Sequence, residues 1–318
     1  LRAEGRELAG SRHFLEVYDL KREEFIEVIR TAVEFKRSGY PSGSLKGRFI
    51  ALLFEKPSTR TRVSFTSAIS RLGGTFDYLS ANDLQLARGE PVYDVGRVLS
   101  RYVDGLVCRV RRHADLLELA ENSRVPVINA LSDRHHPCQA LADLMTVYEL
   151  KGRFEGVKVA FVGDGNNVAT SLMQACALTG TDFAIASPKG YWVPEEERKK
   201  AERVAEETGS RLTFTEDPEE AVRGADFVYT DVFVSMGFEA EAQERMRAFL
   251  PRYRVTEQLM SKASPDARFM HCMPVKRGEE VEPSVADGPR SVMYDQAENR
   301  MHTEAALLHL IYSVWRWI

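Results

Sequence analysis

The sequence predicts an α/β protein of two domains, each a mostly parallel sheet flanked by helices. Three observations carry that expectation. Short apolar, β-rich runs alternate with amphipathic helical stretches along the whole chain, with no fixed-period repeat and no low-complexity segment. The runs are continuous rather than alternating, as in Phe49-Ile50-Ala51-Leu52-Leu53-Phe54, which is the pattern of a strand covered on both faces. At 318 residues the chain exceeds one ordinary domain, and the pattern restarts after Lys151-Gly152.

The elements follow in order. Phe25, Ile29, Ala32 and Val33 recur at helical spacing and predict a helix over Lys21–Arg37, stopped by Gly39 and Pro41. The strand at 49–54 comes next, then strands at 76–79, 106–110 and 125–129, with helices over 63–72, 92–103 and 114–121 between them. Pro137, a good first-turn residue, opens a longer helix to about Leu150. Beyond the boundary, four strands are expected at 157–162, 183–186, 227–230 and 269–271, with helices near 194–208 and 239–249. A last apolar helix spans about Thr303–Trp315. The domains are therefore expected at 1–150 and 151–300, with the segment 301–318 packing back on the first.

Composition narrows the class. Forty-three basic against 47 acidic residues leave a net charge of −4, which argues against a nucleic-acid binder working through a broad basic surface. With 44% hydrophobic and 28% charged residues the chain can bury real cores. No apolar run reaches the roughly 18 residues a membrane helix needs. Cys108, Cys138, Cys176 and Cys272 are scattered, with no C-x-x-C pair, so neither a disulfide framework nor a zinc knuckle is expected. With no visible secretion signal, the expected setting is cytoplasmic and thiol-reducing.

The strongest local signal is Ser58-Thr59-Arg60-Thr61-Arg62, between the buried strand and a helix start. Ser58 is a natural N-cap, backbone N–H groups at a helix start favour an anion, and Arg60 offers a planar fork suited to phosphate. A plain capped helix with two solvated arginines is the bland alternative, but three hydroxyls interleaved with two arginines favour an anion site. A second block is His135-His136-Pro137-Cys138-Gln139. Here His136 can donate to a carbonyl oxygen and Gln139 can read an amide, unless the histidine is structural and Cys138 is packing. A metal on His136 and Cys138 is disfavoured by the Pro137 between them and the lack of clustered ligands.

Ser-Thr-Arg-Thr-Arg after a buried strand resembles the carbamoyl-phosphate loop of the aspartate/ornithine carbamoyltransferase family, and the likeness runs from about Phe14 to Leu310. The resemblance implies that family's two-domain fold. It also makes His136-Pro137-Cys138-Gln139 a second carbamoyl-phosphate element and Arg109 the arginine that polarises the carbamoyl oxygen. Gln85, in Asp83-Leu84-Gln85-Leu86, would reach the phosphate in a neighbouring subunit, which implies a homotrimer, or a multiple of trimers, with shared sites.

The amine substrate is read from the second half. Gly163-Asp164-Gly165-Asn166-Asn167 invites a dinucleotide reading but fails it: Val168 replaces the third glycine, and the next strand closes at Ala186-Ser187 without an acid. In ornithine-specific family members the second asparagine, here Asn167, contacts the amino acid. Asp231 ends a strand, a common ligand position in open α/β sheets, although a capping role is also open. Ser235-Met236-Gly237 resembles the loop that closes over ornithine, so Asp231 would pair with the α-ammonium and Ser235 and Met236 would contact the substrate's backbone end. His271-Cys272-Met273-Pro274 resembles His-Cys-Leu-Pro, where the cysteine lies beside the reacting amine and the next backbone helps hold carbamoyl phosphate. Arg300, within Asp295-Gln296-Ala297-Glu298-Asn299-Arg300, matches an arginine that reaches the carbamoyl group. The chain departs from the family at Lys276, where ornithine-specific members often carry histidine. That leaves open a shifted pH optimum or amine preference.

The implied reaction is attack of the ornithine δ-amine on carbamoyl phosphate, giving citrulline and phosphate within arginine metabolism. No metal or organic cofactor is required, and no covalent intermediate on Cys272. Phosphate groups on one domain and amino-acid groups on the other predict domain closure and a mobile Ser235 loop. Another amine (lysine, an N-acylornithine or putrescine) is the alternative within the class, and a non-catalytic phosphate- or nucleotide-binding module the alternative outside it.

Overall fold

The computed structural model describes residues 12–83, 89–235 and 239–317, which fall into two compact units. Unit 1 takes the chain up to Leu20, Glu27–Cys138 and everything from Arg300, and unit 2 takes Lys21–Ile26 and Gln139–Asn299.

Unit 1 is built on four parallel strands, β1 (Phe49–Phe54), β2 (Thr75–Ser80), β3 (Gly105–Arg109) and β4 (Val127–Leu131), in the order β2-β1-β3-β4. β1 and β3 are central and almost wholly buried, whereas β2 lies at an edge and is exposed or half-exposed throughout. Around the sheet run α1 (Arg22–Ser38, from its second turn), α2 (Thr59–Arg71), α3 (Val92–Leu99) and α4 (His113–Glu121). α1 buries Val28, Ile29, Ala32 and Val33, carries Glu23 and Glu24 in its first turn and Lys36 and Arg37 in its last, and stops at Gly39 with φ +89°. Phe14 runs beside β4, with its N–H on Val127 O and its carbonyl accepting from Asn129 N.

The C-terminal part of α12 (Met293–His309) and the π-helical turn Leu310–Val314 complete this unit. His302 stacks on Tyr40, His309 Nδ1 lies 2.9 Å from Ser44 Oγ, and Tyr312 Oη donates to Asp104 O at 2.9 Å. The tyrosine hydroxyl sits over Gly105, where a Cβ would lie 2.0 Å from it.

Unit 2 holds five parallel strands: β5 (Lys158–Val162), β6 (Asp182–Ala186), β7 (Leu212–Thr215), β8 (Phe227–Thr230) and β9 (Arg268–His271). Their order is β7-β6-β5-β8-β9. Helices α5 (Pro137–Lys151), α6 (Asn167–Thr179), α7 (Glu195–Thr208), α8 (Pro218–Val222), α9 (Ala242–Phe249), α10 (Glu257–Met260) and α11 (Pro283–Ala286) accompany them. One core cluster gathers Ala160, Val162, Val228, Phe233, Phe249 and Phe269.

Two parallel sheets flanked by helices are the architecture expected from the sequence. The differences in detail have physical causes. β7 was not among the expected strands, because it is an edge strand whose four residues are all half-buried and form no apolar run. β4 begins two residues later than its apolar pattern, since Pro126 has no N–H for a ladder, although its carbonyl accepts from Leu106 N. α12 starts ten residues earlier than expected because, Met293 apart, its first turns bury the polar side chains of Gln296, Asn299 and Arg300. Among the described residues no helix is long and apolar enough to cross a membrane.

Candidate active site

In both sheets the order of strands reverses beside one central strand, and the crevice at the carboxyl ends of the strands flanking such a reversal is where open α/β sheets hold ligands. In unit 1 the reversal lies between β1 and β3, in unit 2 between β5 and β8. Among the described residues, Ser58 and Arg109 follow or end β1 and β3, and Asn167 and Asp231 follow β5 and β8.

In unit 1, Ser58 caps α2, accepting from Thr61 N at 3.3 Å and donating from Oγ to Thr61 Oγ1 at 3.1 Å. Thr59 and Arg60 are exposed and Thr61 is buried, so one turn presents backbone donors, hydroxyls and a guanidinium together. Arg62 is diverted, its guanidinium stacking 3.9 Å from the Tyr78 ring on β2, whereas the charge of Arg60 bears on His136. Arg109 ends β3 at a register shift, is 5% exposed, and its carbonyl ties back to Glu55 N.

His136 is set by a tight polar turn. Ser132 N donates to His135 O, His135 N to Ser132 Oγ, and Ser132 Oγ lies 2.9 Å from His113 Nδ1. Cys138, buried, donates to Asn129 O. Burial holds the His136 imidazole well below its ordinary pKa, helped by the positive charges of Arg300, Arg109 and Arg60, so it is neutral at physiological pH. Arg300 is 6% exposed, and its Nε and Nη2 both donate to Glu304 Oε1, at 3.0 and 2.7 Å. Three arginines thus bear on one neutral, buried imidazole.

In unit 2, Asp231 follows β8 and is buried. It accepts from Asn166 Nδ2 at 2.9 Å, Val232 N at 2.8 Å and the Cys272 thiol at 3.2 Å. Asn166 itself caps α6, its Oδ1 accepting from Val168 N and Ala169 N. Asn167 is the first residue of α6, and Ser235 lies half-buried four residues beyond Asp231. The Cys272 thiol is pushed well up by burial and by the Asp231 carboxylate, so it is a neutral donor rather than a nucleophile. Met273 adopts φ +61°, a region rare for side-chain-bearing residues, and donates its N–H to His271 Nδ1 at 2.8 Å. His271 Nε2 faces the buried Glu280 at 3.2 Å. Asp231, His271 and Cys272 come close enough to suggest a metal trio, yet both His271 nitrogens and the thiol are engaged within the protein.

Asp143 was not singled out from the sequence. Fully buried within α5, it accepts through Oδ1 from Gln139 Nε2 at 2.8 Å and Gln296 Nε2 at 2.7 Å, with Tyr229 Oη at 3.4 Å. Gln296 in turn accepts from His271 N. One carboxylate therefore orients Gln139 and ties it to the strand that carries Cys272. An aspartate between Ala142 and Leu144 in an apolar helix was the available signal. Lys276 is half-exposed and pairs with Glu279 at 3.4 Å. Gln85 and Met236 lie outside the described residues.

The Gly163–Gly165 turn explains the failed dinucleotide pattern. A Cβ on Gly165 would lie 2.1 Å from Val193 N and 2.4 Å from Trp192 C, and Gly165 N donates to Tyr191 O. The close approach that glycine permits is taken by the protein's own backbone.

Residues 12–149 match the family model for the aspartate/ornithine carbamoyltransferase carbamoyl-P binding domain, and residues 155–311 match that for the Asp/Orn binding domain. An anabolic ornithine carbamoyltransferase of Pyrococcus furiosus is 52% identical over 307 residues, covering 96% of this chain and 97% of that protein. An ornithine carbamoyltransferase of Bacillus subtilis is 50% identical over 93% of this chain and 92% of its own. Among solved structures, ornithine carbamoyltransferase from P. furiosus superposes with a TM-score of 0.91 at 50% identity, covering 97% of this chain and 99% of that one. The enzyme from Campylobacter jejuni gives 0.89 at 40% identity, covering 93% and 97%.

Proposed function

The chain belongs to the aspartate/ornithine carbamoyltransferase family, and from that premise we propose that it transfers the carbamoyl group of carbamoyl phosphate to the δ-amine of L-ornithine, giving L-citrulline and phosphate. The observation that carries the reading is the convergence of Arg60, Arg109 and Arg300 on a neutral His136 beside a capped helix start. That set suits a dianionic phosphate joined to a carbonyl whose oxygen gains charge in the transition state.

Ser58, Thr59, Arg60 and Thr61, with Gln85, hold the phosphate. Arg109, His136 and Arg300, with the Thr61 hydroxyl, face the developing oxyanion, the largest electrostatic contribution to such reactions. His136 serves as a neutral hydrogen-bond donor, which its depressed pKa requires. Pro137 and Cys138 shape the turn, and Gln139 and the backbone at Cys272-Met273 orient the carbamoyl NH₂. The buried Asp231 carboxylate receives the α-ammonium of ornithine, with Asn167, Ser235 and Met236 around the amino acid. The δ-amine, with a reference pKa of about 10.4, must enter neutral; transfer to a desolvated site lowers that value, and the departing phosphate takes the proton released on attack.

Residues 1–150 constitute the carbamoyl-phosphate domain, with 301–318 added to it, and residues 151–300 the ornithine domain. The enzyme acts in the cytoplasm, in the direction of arginine synthesis, as a homotrimer or multiple of trimers. The printed name of the P. furiosus relative, anabolic, supports the direction. The test is carbamoyl-phosphate-dependent phosphate release with ornithine beside lysine, putrescine, aspartate and N-acetylornithine, with sedimentation for the assembly. Turnover with ornithine is expected; turnover only with another amine, or with none, overturns the reading.

A further inference from the structure

Arg300 is held by a partner that the reaction scheme above does not use. Glu304, one turn further along α12, is 1% exposed, and its Oε1 accepts from both Nε and Nη2 of Arg300, at 3.0 and 2.7 Å. Two bonds to one edge of a planar guanidinium fix its rotation and turn the Nη1 side away from the carboxylate.

We propose that Glu304 is a positioning residue that locks Arg300 in the orientation used against the carbamoyl oxygen, and that its state of ionisation sets how well this lock holds. The inference rests on the role given to Arg300 under the proposed function. A carboxylate inside a cluster of binding arginines works against anion binding, since it cancels part of the positive charge that attracts the phosphate. Its presence is understandable where orientation of one guanidinium in the transition state is worth more than field strength in the ground state.

The groups facing Glu304 come from three helices. Arg300 lies on its own helix, the Ser64 hydroxyl of α2, which itself donates to Thr61 O, lies close by and favours its ionised form, and the Cys138 thiol at the start of α5 feels its charge. Around Arg300 stand His136, Arg109 and Arg60. Burial pushes the Glu304 carboxyl up to about 7, the charge and hydrogen bonds of Arg300 and the nearby Ser64 hydroxyl offsetting only part of that effect. The lock is therefore closed above neutrality and loosens as pH falls, when the carboxyl takes up a proton and accepts less strongly from the guanidinium.

Substituting Glu304→Gln keeps the shape and removes the charge. At saturating ornithine and carbamoyl phosphate, the wild-type to variant ratio of kcat should be about tenfold or more at pH 8.5 and approach one near pH 5.5. Taking the ratio cancels the protonation of ornithine, which both proteins share. The KM for carbamoyl phosphate should stay level or fall, because the site becomes more positive. Glu304→Asp retains the charge with a shorter reach, so its kcat should fall below that of the wild type at pH 8.5 and the wild-type to Asp ratio should also approach one near pH 5.5. It carries the test if the Gln variant does not fold. A ratio that is constant across pH, or a loss confined to the KM for carbamoyl phosphate, overturns the positioning role. Absence of carbamoyl transfer by the wild-type enzyme overturns the underlying functional reading instead, a different and separately visible result.

Discussion

Replacing Asp231 by asparagine separates substrate recognition from fold in unit 2. The two side chains have nearly the same shape, but the change removes a negative charge and turns one acceptor into a donor. Asp231 Oδ1 accepts from Val232 N and the Cys272 thiol, and Oδ2 from Asn166 Nδ2. The new amide would meet the Asn166 amide donor to donor. Asn166 cannot turn over to accommodate it, because its own oxygen caps α6 through Val168 N and Ala169 N. One buried donor is then left unmatched, which costs about 1–3 kcal/mol of stability. For binding, the loss is that of a buried charge-assisted contact to the α-ammonium, about 2–4 kcal/mol. At 1.4 kcal/mol per decade that is roughly a 30- to 700-fold rise in KM for ornithine. The KM for carbamoyl phosphate should move by less than about twofold, since its charged groups, Arg60, Arg109 and Arg300, belong to unit 1. Initial rates of citrulline formation with each substrate varied in turn measure both, and thermal unfolding measures the first effect. A folded variant with an unchanged KM for ornithine, or one in which both KM values rise together, would refute the assignment.

Other outcomes follow from the same geometry. Ser58→Ala removes the α2 cap and one hydroxyl of the anion turn, so it should lower stability by about 1 kcal/mol and raise the KM for carbamoyl phosphate about tenfold. All four thiols are held above their ordinary pKa by burial, so iodoacetamide at pH 8 should leave the folded protein unlabelled while modifying the unfolded chain; rapid labelling of Cys272, read by mass spectrometry, would contradict its role as a neutral donor. The raised pKa of Glu304 means that the folded state binds its proton more tightly than the unfolded chain does, so this contribution to stability is complete below pH 4.5 and lost as pH rises through about 7. Across that window the wild type should lose on the order of 3 kcal/mol relative to Glu304→Gln, seen as a growing difference in Tm. Gly105→Ala drives a Cβ into the Tyr312 hydroxyl and should destabilise by about 1–3 kcal/mol; adding Tyr312→Phe removes the clashing oxygen, and denaturant titrations should show the pair less destabilised than the sum of the singles.

The sheets were legible in the sequence because parallel strands buried on both faces leave uninterrupted apolar runs, and Phe49–Phe54 and Phe227–Thr230 appear as strands for that reason. The capped start of α2 at Ser58 was legible because capping chemistry is local. What escaped was either half-buried or polar and buried. β7 has no continuous apolar face, and the opening of α12 packs Gln296, Asn299 and Arg300 inward, so hydrophobic spacing starts the helix only at Thr303. Asp143 and Glu304 escaped for a related reason. A carboxylate in a helix reads as surface, and only the distant partners Gln296 and Tyr229 reveal Asp143 as a hub, while the Arg300–Glu304 pair at helical spacing is indistinguishable in sequence from a solvated one. Arg60 and Arg62 look equivalent in sequence, and Tyr78 on β2 separates them.

The make-up of unit 1 has a consequence for how the chain acquires its structure during synthesis. Unit 2 draws nearly all its residues from one stretch, Gln139–Asn299, and every strand of its sheet is available once that stretch has emerged. Unit 1 is assembled from both ends: Phe14 beside β4, and the segment from Arg300, whose Tyr312 seats over Gly105 and whose Trp315 donates to Glu27. The sheet that is translated first therefore lacks its closing helix until the segment from Arg300 has emerged, and the order of completion runs opposite to the order of translation. For that interval the nascent protein carries an unfinished amino-terminal half beside a finished carboxyl-terminal one. Losing the last turns by truncation would strike the fold at the far end of the chain from the cut.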